Sequence, residues 1–193
     1  MQELLAPIKK MIGSVIDIDS KEWAYYSAMF TIKEIRKKEV LLKADEICRN
    51  VYFVNKGLLR IFFTDKSGKE STFHFTQQYE LATDYESLLQ GTPSKYHIQA
   101  LEDSQVVVWS AAMIADGYQK LRYGDRLARI ITEKHFIAFS NKIQAMYTQT
   151  HMERYRQMNL RFPNILQKVP QHYIASYLNI SPVHLSRLKS ESE

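Results

Sequence analysis

Pro170-Gln-His-Tyr-Ile-Ala-Ser-Tyr-Leu-Asn-Ile-Ser-Pro-Val-His-Leu-Ser-Arg-Leu-Lys189 reads as two short helices joined by a tight turn. Pro170 suits the first position of a helix, where its missing N–H costs nothing. Ile174 and Leu178 fall four apart on one face, and Ala175 is small where a second helix must cross closely. Asn179 tolerates the left-handed conformation that ends a helix. Ser181 can cap the next helix, with Pro182 at its first position. Leu185 and Leu188 then pack back onto Ile174 and Leu178. This is helix-turn-helix geometry, which seats its second helix in the major groove of DNA. A hairpin that merely closes a domain needs similar apolar spacing. The residues left facing out favour DNA: Val183, His184, Ser186 and Arg187 suit base edges, beside Ser181 at the helix start.

Charge gathers in the same region. The net charge of +5 on 193 residues permits a polyanionic partner without demanding one. From His151 onward the basic residues are Arg154, Arg156, Arg161, Lys168, Arg187 and Lys189, against the acids Glu153, Glu191 and Glu193. Arg154, Arg156, Lys168 and Lys189 are therefore the candidate phosphate contacts, as electrostatic capture of a duplex requires. A hydrophobic content of 45% supports a real core, and 24% charged residues argue against disorder. No apolar run approaches the ~20 residues that cross a bilayer. The N-terminus reads as an amphipathic pattern with charges inside it, not as a signal peptide. Cys48 is the single cysteine, which excludes an internal disulfide and a cysteine-ligated iron–sulfur cluster within one chain. Cytoplasmic residence without a membrane partner is the expectation, and no metal or other cofactor is predicted.

Ahead of that segment the period changes twice. Leu4, Leu5, Ile8, Met11, Ile12 and Val15 recur at helical spacing, and Ser20 followed by Lys-Glu-Trp-Ala-Tyr-Tyr predicts a second, capped helix to about Met29. Between Phe30 and Trp109 the runs become short and β-rich: Val40–Leu42, Val51–Val54, Leu58–Thr64, Ser71–Phe75, Tyr96–Leu101 and Gln105–Trp109. Asn55-Lys56-Gly57 and Asp65-Lys66-Ser67-Gly68-Lys69 punctuate them as turns, and Tyr85 to Leu89 reads as a short apolar turn. Such strands imply an antiparallel sandwich or jelly-roll barrel. From Ala111 the helical period returns. Tyr123, Leu127, Ile130, Ile131, Ile137, Ala138 and Ala145 fall near one face, and Phe136, Phe139, Ile143, Met146 and Tyr147 near another. A helix from Tyr123 to Tyr147 runs about 36 Å, and one that is apolar on two sides must bury both. The β domain supplies one cover. A second copy of the same helix is the economical supplier of the other, giving a two-fold dimer. A helix sunk between two domains of one chain is the alternative.

A β-roll, a long connecting helix and a terminal helix-turn-helix resemble the Crp/Fnr family of bacterial transcription regulators. The likeness spans nearly the whole chain and is strongest over Val51–Phe63, Tyr96–Val108 with Ala100-Leu101-Glu102-Asp103-Ser104, and Val169–Lys189. It extends to a branch of short members carrying a Pro-Ser-Lys/Arg-Tyr segment, here Pro93-Ser94-Lys95-Tyr96. The resemblance implies an α+β chain: a cyclic-nucleotide-binding-type β-roll with N-terminal helices over 1–122, a dimer helix over 123–148 and an all-α DNA-binding domain over 149–193. It implies a homodimer on a double-stranded operator, RNA polymerase as a further partner, no enzyme activity, and Arg187 at a DNA-contacting position. Leu127, Ile130, Ile131, Ile137, Phe139 and Ile143 are the expected dimer-helix residues.

Two departures bear on the effector. Nucleotide-responsive members hold the cyclic phosphate with a Gly-Glu pair and an Arg-Ser or Arg-Thr pair, because a buried anion needs an arginine fork and backbone donors. Here those places hold Thr83-Asp84 and Ser94-Lys95. Thr83, Asp84, Ser94, Lys95 and Tyr96 thus remain candidate residues for an effector pocket, and cyclic AMP is not the expected effector; a constitutive DNA binder would read the same. The sequence also ends four residues after Lys189, which leaves nothing for a β-hairpin wing behind the reading helix.

Other chemistries find less support. A cupin-like metal enzyme needs two histidines two apart on one strand with further ligands, whereas His74 and His97 stand alone on separate strands. His135, His151, His172 and His184 lack a paired spacing, and neither a phosphate-binding glycine loop nor a nucleophile elbow occurs. Tyr25, Tyr26, Tyr79 and Tyr85 are read as packing residues before pocket residues. A β-roll that binds a ligand and signals to a protein partner through its terminal helices remains the second expectation for function.

Overall fold

The structure is a computed structural model and describes residues 1–192, with only the main chain of Ser192. It opens with α1 (Gln2–Gly13), which buries Leu5, Ile8 and Ile12 as the periodicity predicts. The next helix, α2 (Ser20–Ser27), is capped by Asp19 and not by Ser20. Asp19 accepts from the amides of Lys21 and Glu22 at 2.8 and 2.9 Å, and the Glu22 carboxylate returns to the Asp19 amide. Only a cap at Asp19 puts a glutamate three residues on, which completes the reciprocal box.

The strands follow in order: β1 (Thr31–Ile35), β2 (Val40–Leu42), β3 (Asn50–Lys56), β4 (Leu59–Thr64), β5 (Glu70–Thr76) and β6 (Leu81–Ala82). After α3 (Tyr85–Gln90) come β7 (His97–Ala100) and β8 (Ser104–Ser110). They form two four-stranded antiparallel sheets, β1-β8-β3-β6 and β2-β7-β4-β5, packed as a β-roll. Val54, Leu59, Ile98, Ala100 and Val106 fill the space between them. The Tyr85–Leu89 stretch, expected as a turn, is the helix α3. Asp84 caps it and Gly91, at φ +65°, ends it, so fewer than two turns of helix form, without room for a visible period. At the β3–β4 turn Gly57 has φ +106°, and a Cβ there would lie 2.1 Å from Ser104 Oγ. Strand β5 carries a bulge: Ile61 pairs with His74 and Phe62 with Thr72, leaving Phe73 extra.

Past the β-roll run α4 (Ala111–Lys120) and α5 (Gly124–Thr148). They meet so closely that a Cβ on Gly124 would come within 2.1 Å of the Gly117 carbonyl oxygen. Under them Ile8, Ile12, Tyr26, Phe30, Phe53, Trp109 and Leu127 form a second core. There Trp109 Nε1 donates to the Tyr26 hydroxyl at 2.7 Å, and burial pushes that phenol's pKa up.

The chain ends in α6 (His151–Arg161), α7 (Ile165–Lys168), α8 (Gln171–Tyr177) and α9 (Pro182–Ser192). Pro170 is the cap of α8 and not its first helical residue: its ψ of 137° is extended, which the sequence could not distinguish from the adjacent helical position. Ile174, Ala175, Leu178, Leu185 and Leu188 are all buried together with Tyr155, Met158, Phe162 and Ile165. Leu58, Phe75 and Leu101 of the β-roll belong to the same core, so the terminal helices are docked on the sheet. Thr72 of β5 donates its amide to Ser176 Oγ of α8 at 3.0 Å. The fully buried Arg60 guanidinium lies 3.5 Å from the Tyr173 ring and 4.1 Å from the Phe62 ring, and bonds Glu70 at 2.6 Å.

Asn179 adopts φ +55° in the turn between α8 and α9. The side chain is exposed, so its replacement tests conformation alone. Asn179→Val should cost ~1–2 kcal/mol in urea unfolding, since a β-branched residue is strained there, while Asn179→Gly should be nearly neutral.

Candidate nucleic-acid interface and effector cavity

Helix α9 presents one side to the core and the other to solvent. Ser181 Oγ accepts the His184 amide at 3.1 Å and fixes where the helix begins. With Leu185 and Leu188 buried, Val183 is 66% exposed and Ser186 and Arg187 face solvent. His184 is half-buried, its ring 4.5 Å from that of His151 at the start of α6. Lys189 is half-buried on the same helix.

The remaining candidate cations separate by environment. Arg156 is exposed on α6. Lys168 is exposed and 3.6 Å from Glu102 of the β-roll. Arg154 is half-buried, and its guanidinium donates to the carbonyls of Gln149 at 2.8 Å and Leu178 at 3.3 Å. The Leu178 carbonyl ends α8, so Arg154 ties the start of α6 to the helix-turn-helix. Both of its Nη groups are engaged inside the fold, which separates it from Arg156 and Lys168.

The six expected dimer-helix residues divide between two directions. Leu127 is buried in the chain's own core, Ile131 lines the wall of a cavity, and Phe139 packs 5.2 Å from Phe73 of β5. Ile130 is half-buried, while Ile137 and Ile143 are exposed. Thr132, Phe136, Phe139, Ile143 and Met146 succeed one another at spacings of four and three along α5. That is the spacing of a seam between two helices, and Phe136 on it is 72% exposed.

A cavity of about 320 Å³ lies between the β-roll, α4 and α5. Val51, Ile61, Phe73, Trp109, Leu121 and Leu127 contribute to walls that are largely apolar, while His74, Asp84, Tyr96 and His135 bring polar groups. The β5 bulge explains why two successive residues, Phe73 and His74, both reach it. Tyr26 and Tyr85 line this cavity, whereas Tyr79 lines a cleft beside Leu160 and Tyr25 bonds Asp116 on the surface. Phe73, His135 and Trp109 were not visible as pocket residues, because a fold-made wall draws on segments with no shared motif.

The five residues expected around an effector fall into two groups. Ser94 Oγ donates to the buried Asp84 carboxylate at 2.7 Å, and Asp84 also accepts the Ser87 amide. Thr83 Oγ1 donates to the Asn50 carbonyl at 3.0 Å, and Tyr96 lines the cavity. Lys95 points outward instead, 3.4 Å from Glu86, so it brings no charge to the cavity. The two segments therefore meet through a carboxylate–hydroxyl bond and not around a cation.

Basic groups collect at the other end. Burial, then repulsion from Arg161, Lys142 and His135, holds the His74 pKa well below the usual imidazole range. Burial and Arg161 lower His135 in the same direction. They also bring Lys142 down to about 7. The Lys142 ammonium donates to the Phe73 carbonyl and lies 4.2 Å from the Tyr177 ring of α8.

Residues 32–120 match the family described as the cyclic nucleotide-binding domain. No curated protein matches the sequence. Among solved structures, FixK2 from Bradyrhizobium japonicum is 19% identical, with 84% of each chain covered and a TM-score of 0.72. A transcriptional regulator assigned to the Crp/Fnr family from Eubacterium rectale is 14% identical, covering 91% of this chain and 83% of that one, TM-score 0.72. The chain has the Crp/Fnr regulator fold. The catabolite activator protein of Thermus thermophilus shares it at 16% identity, over 90% of this chain and 83% of that one, with a TM-score of 0.57. Within the Crp/Fnr fold described here, the β-roll, the long helix and the terminal helices are those expected from the sequence. No helix among the described residues is long and apolar enough to cross a membrane.

Proposed function

We propose that the protein is a homodimeric, sequence-specific DNA-binding transcription regulator. In this reading residues 1–122 form a sensor, 123–148 the dimer helix and 149–193 the DNA-binding domain. One observation carries it: α9 is anchored by Leu185 and Leu188 while Val183, Ser186 and Arg187 project from its free side. Val183, His184, Ser186 and Arg187 read base edges, and Arg156, Lys168 and Lys189 meet phosphates around them. Arg154 acts earlier, by holding α6 against the end of α8. Two copies of α5 set the separation of two reading helices to one turn of duplex, about 34 Å.

The sensor reading rests on strand β5. Phe73 and His74 line the cavity, while Thr72 and Phe75 on the same strand hold the helix-turn-helix. An occupant that prefers one position of β5 shifts the docked helices with it, as differential affinity for two states requires. Cyclic AMP is not that occupant. A cyclic phosphate needs an arginine fork, and the matching segment offers only Lys95, which is turned away beside Glu86.

Selection of bound fragments from a random duplex pool tests the reading, and one enriched half-site, repeated with two-fold symmetry, is the expected outcome. Arg187→Ala should then cost ~1–3 kcal/mol per half-site and relax the preference at one base pair. Unchanged discrimination in a gel-shift titration would remove Arg187 from the reading set. Affinity should also fall steeply with salt. A terminal domain that docks a protein partner predicts a flat salt profile.

A further inference from the structure

The cavity between the β-roll and α5 has an apolar body with one basic end. At that end sit His74 from β5 and His135 from α5, their rings 5.7 and 6.2 Å from that of Phe139. His74 is only 7% exposed, and its Nδ1 has no hydrogen-bond partner in the fold. An unpaired buried polar atom costs ~1–3 kcal/mol, and native proteins keep few of them. Something other than the chain itself is needed to satisfy this nitrogen.

The neighbouring charges point to what that is. Lys142 lies behind Phe73, 5.1 Å from its ring. Arg161, exposed at the end of α6, lowers the proton affinity of His74, His135 and Lys142 alike. The carboxylate facing this group is Glu80, 3.7 Å from Arg161, and it does not figure among the charges acting on the two histidines or the lysine. Like charges gathered in a poorly hydrated place repel unless an anion joins them. Asp84, on the cavity wall with its carboxylate held by Ser94, gives the space an acidic side as well.

We infer that the cavity binds a small lipophilic carboxylate, its apolar body among the wall residues and its carboxylate at His74 and His135. Lys142 supports the charge from behind Phe73, and Asp84 repels the carboxylate and so fixes the orientation. About 320 Å³ is room for roughly ten water-sized groups, which fits an arylpropionate. The walls supply what the rest of such a ligand needs, since Val51, Ile61, Trp109, Leu127 and Ile131 are apolar. Entry of the carboxylate satisfies Nδ1 of His74 and favours the protonated forms of the histidines and the lysine. Because His74 and Phe73 lie on the strand that carries the terminal helices, the occupant touches the element that the regulator reading requires to move.

This assignment deepens the sensor reading and rests on it, yet its test involves no DNA. Titration calorimetry of the full-length protein with 3-phenylpropionate, its amide, 3-phenylpropylamine and cyclic AMP separates charge from shape. The acid should bind, the amide should bind at least ten-fold more weakly, and the amine and cyclic AMP should give no heat of binding. His74→Leu should weaken the acid at least ten-fold while leaving the circular-dichroism spectrum and melting temperature at wild-type levels or above. Lys142→Met, which removes a buried charge and should fold, ought to weaken it several-fold. Equal binding of acid and amide, no binding of the acid, or wild-type affinity in folded His74→Leu would each overturn the assignment. If the acid binds and no duplex is enriched from the random pool, the regulator reading fails alone. If a duplex is enriched and the acid does not bind, the carboxylate fails alone.

Discussion

Ile143→Glu should convert the proposed homodimer into a folded monomer. Ile143 lies on the α5 seam formed with Thr132, Phe136, Phe139 and Met146, and it is 56% exposed in the single chain. Nothing in its own fold depends on it, so the secondary structure of the variant should be unchanged. Across a two-fold axis, each glutamate would meet the same seam of the other copy. The loss of two buried isoleucines is worth ~1.5–3 kcal/mol each, and burying two facing carboxylates adds several kcal/mol more. Roughly 5 kcal/mol or more weakens association by over a thousand-fold. Sedimentation equilibrium should therefore report a mass near 22.7 kDa for the variant and twice that for the wild type. Asn141→Glu, exposed and on the opposite side of α5, is the control and should leave the dimer intact. Operator affinity should fall with the dimer, because each half-site then binds alone and the effective concentration of the second is lost. A variant that stays dimeric at micromolar concentration would place the partner surface elsewhere.

The elements that were legible in the sequence are those whose causes are local. Helices α8 and α9 announce themselves through Asn179, Ser181 and Pro182, which act within a few residues of their own backbone. The β-roll is legible for the same reason, its turns at Gly57 and Gly68 carrying the positive φ that only local geometry demands. The misplaced caps at Ser20 and Pro170 were errors of one residue between neighbours that both suit a helix start. The interior of the site was a different matter. Arg60, in Leu58-Leu59-Arg60-Ile61, reads as the outward residue of a half-buried strand, yet it is fully buried. The cover comes from Tyr173, on a helix far along the chain, whose position no local pattern encodes. The same holds for His74 and Lys142, which a sequence shows as solitary polar residues and the fold brings to one junction. Lys95 erred in the opposite direction. Motif position made it a candidate for the effector pocket, and the structure turns it outward beside Glu86.

Lys142 also makes a demand on stability. It donates to the Phe73 carbonyl and lies against the Phe73 and Tyr177 rings, with Arg161 of α6 as its repelling neighbour and His74 beside it on β5. Burial first, and Arg161 second, lower its pKa from the ordinary 10.5 to about 7. The unfolded chain thus keeps this proton up to pH ~10.5, while the folded chain releases it near 7. Between those values the unfolded state binds more protons, so this residue makes stability rise with pH. The cost is fully present below pH 7, shrinks through the window and is gone above 10.5. Lys142→Met keeps the length of the side chain and removes the charge. The variant should be more stable than the wild type by about 2–4 kcal/mol at pH 7, or roughly 4–16 °C in melting temperature for a chain of this size. By pH 10.5 the two should coincide. Urea unfolding of both proteins at pH 7, 9 and 10.5 measures the difference directly, and a gap that stays constant across the three would show that the lysine is already neutral or well solvated at pH 7. The gap should also narrow at pH 7 when 3-phenylpropionate is present, because the carboxylate gives the ammonium the counter-charge that its own fold withholds.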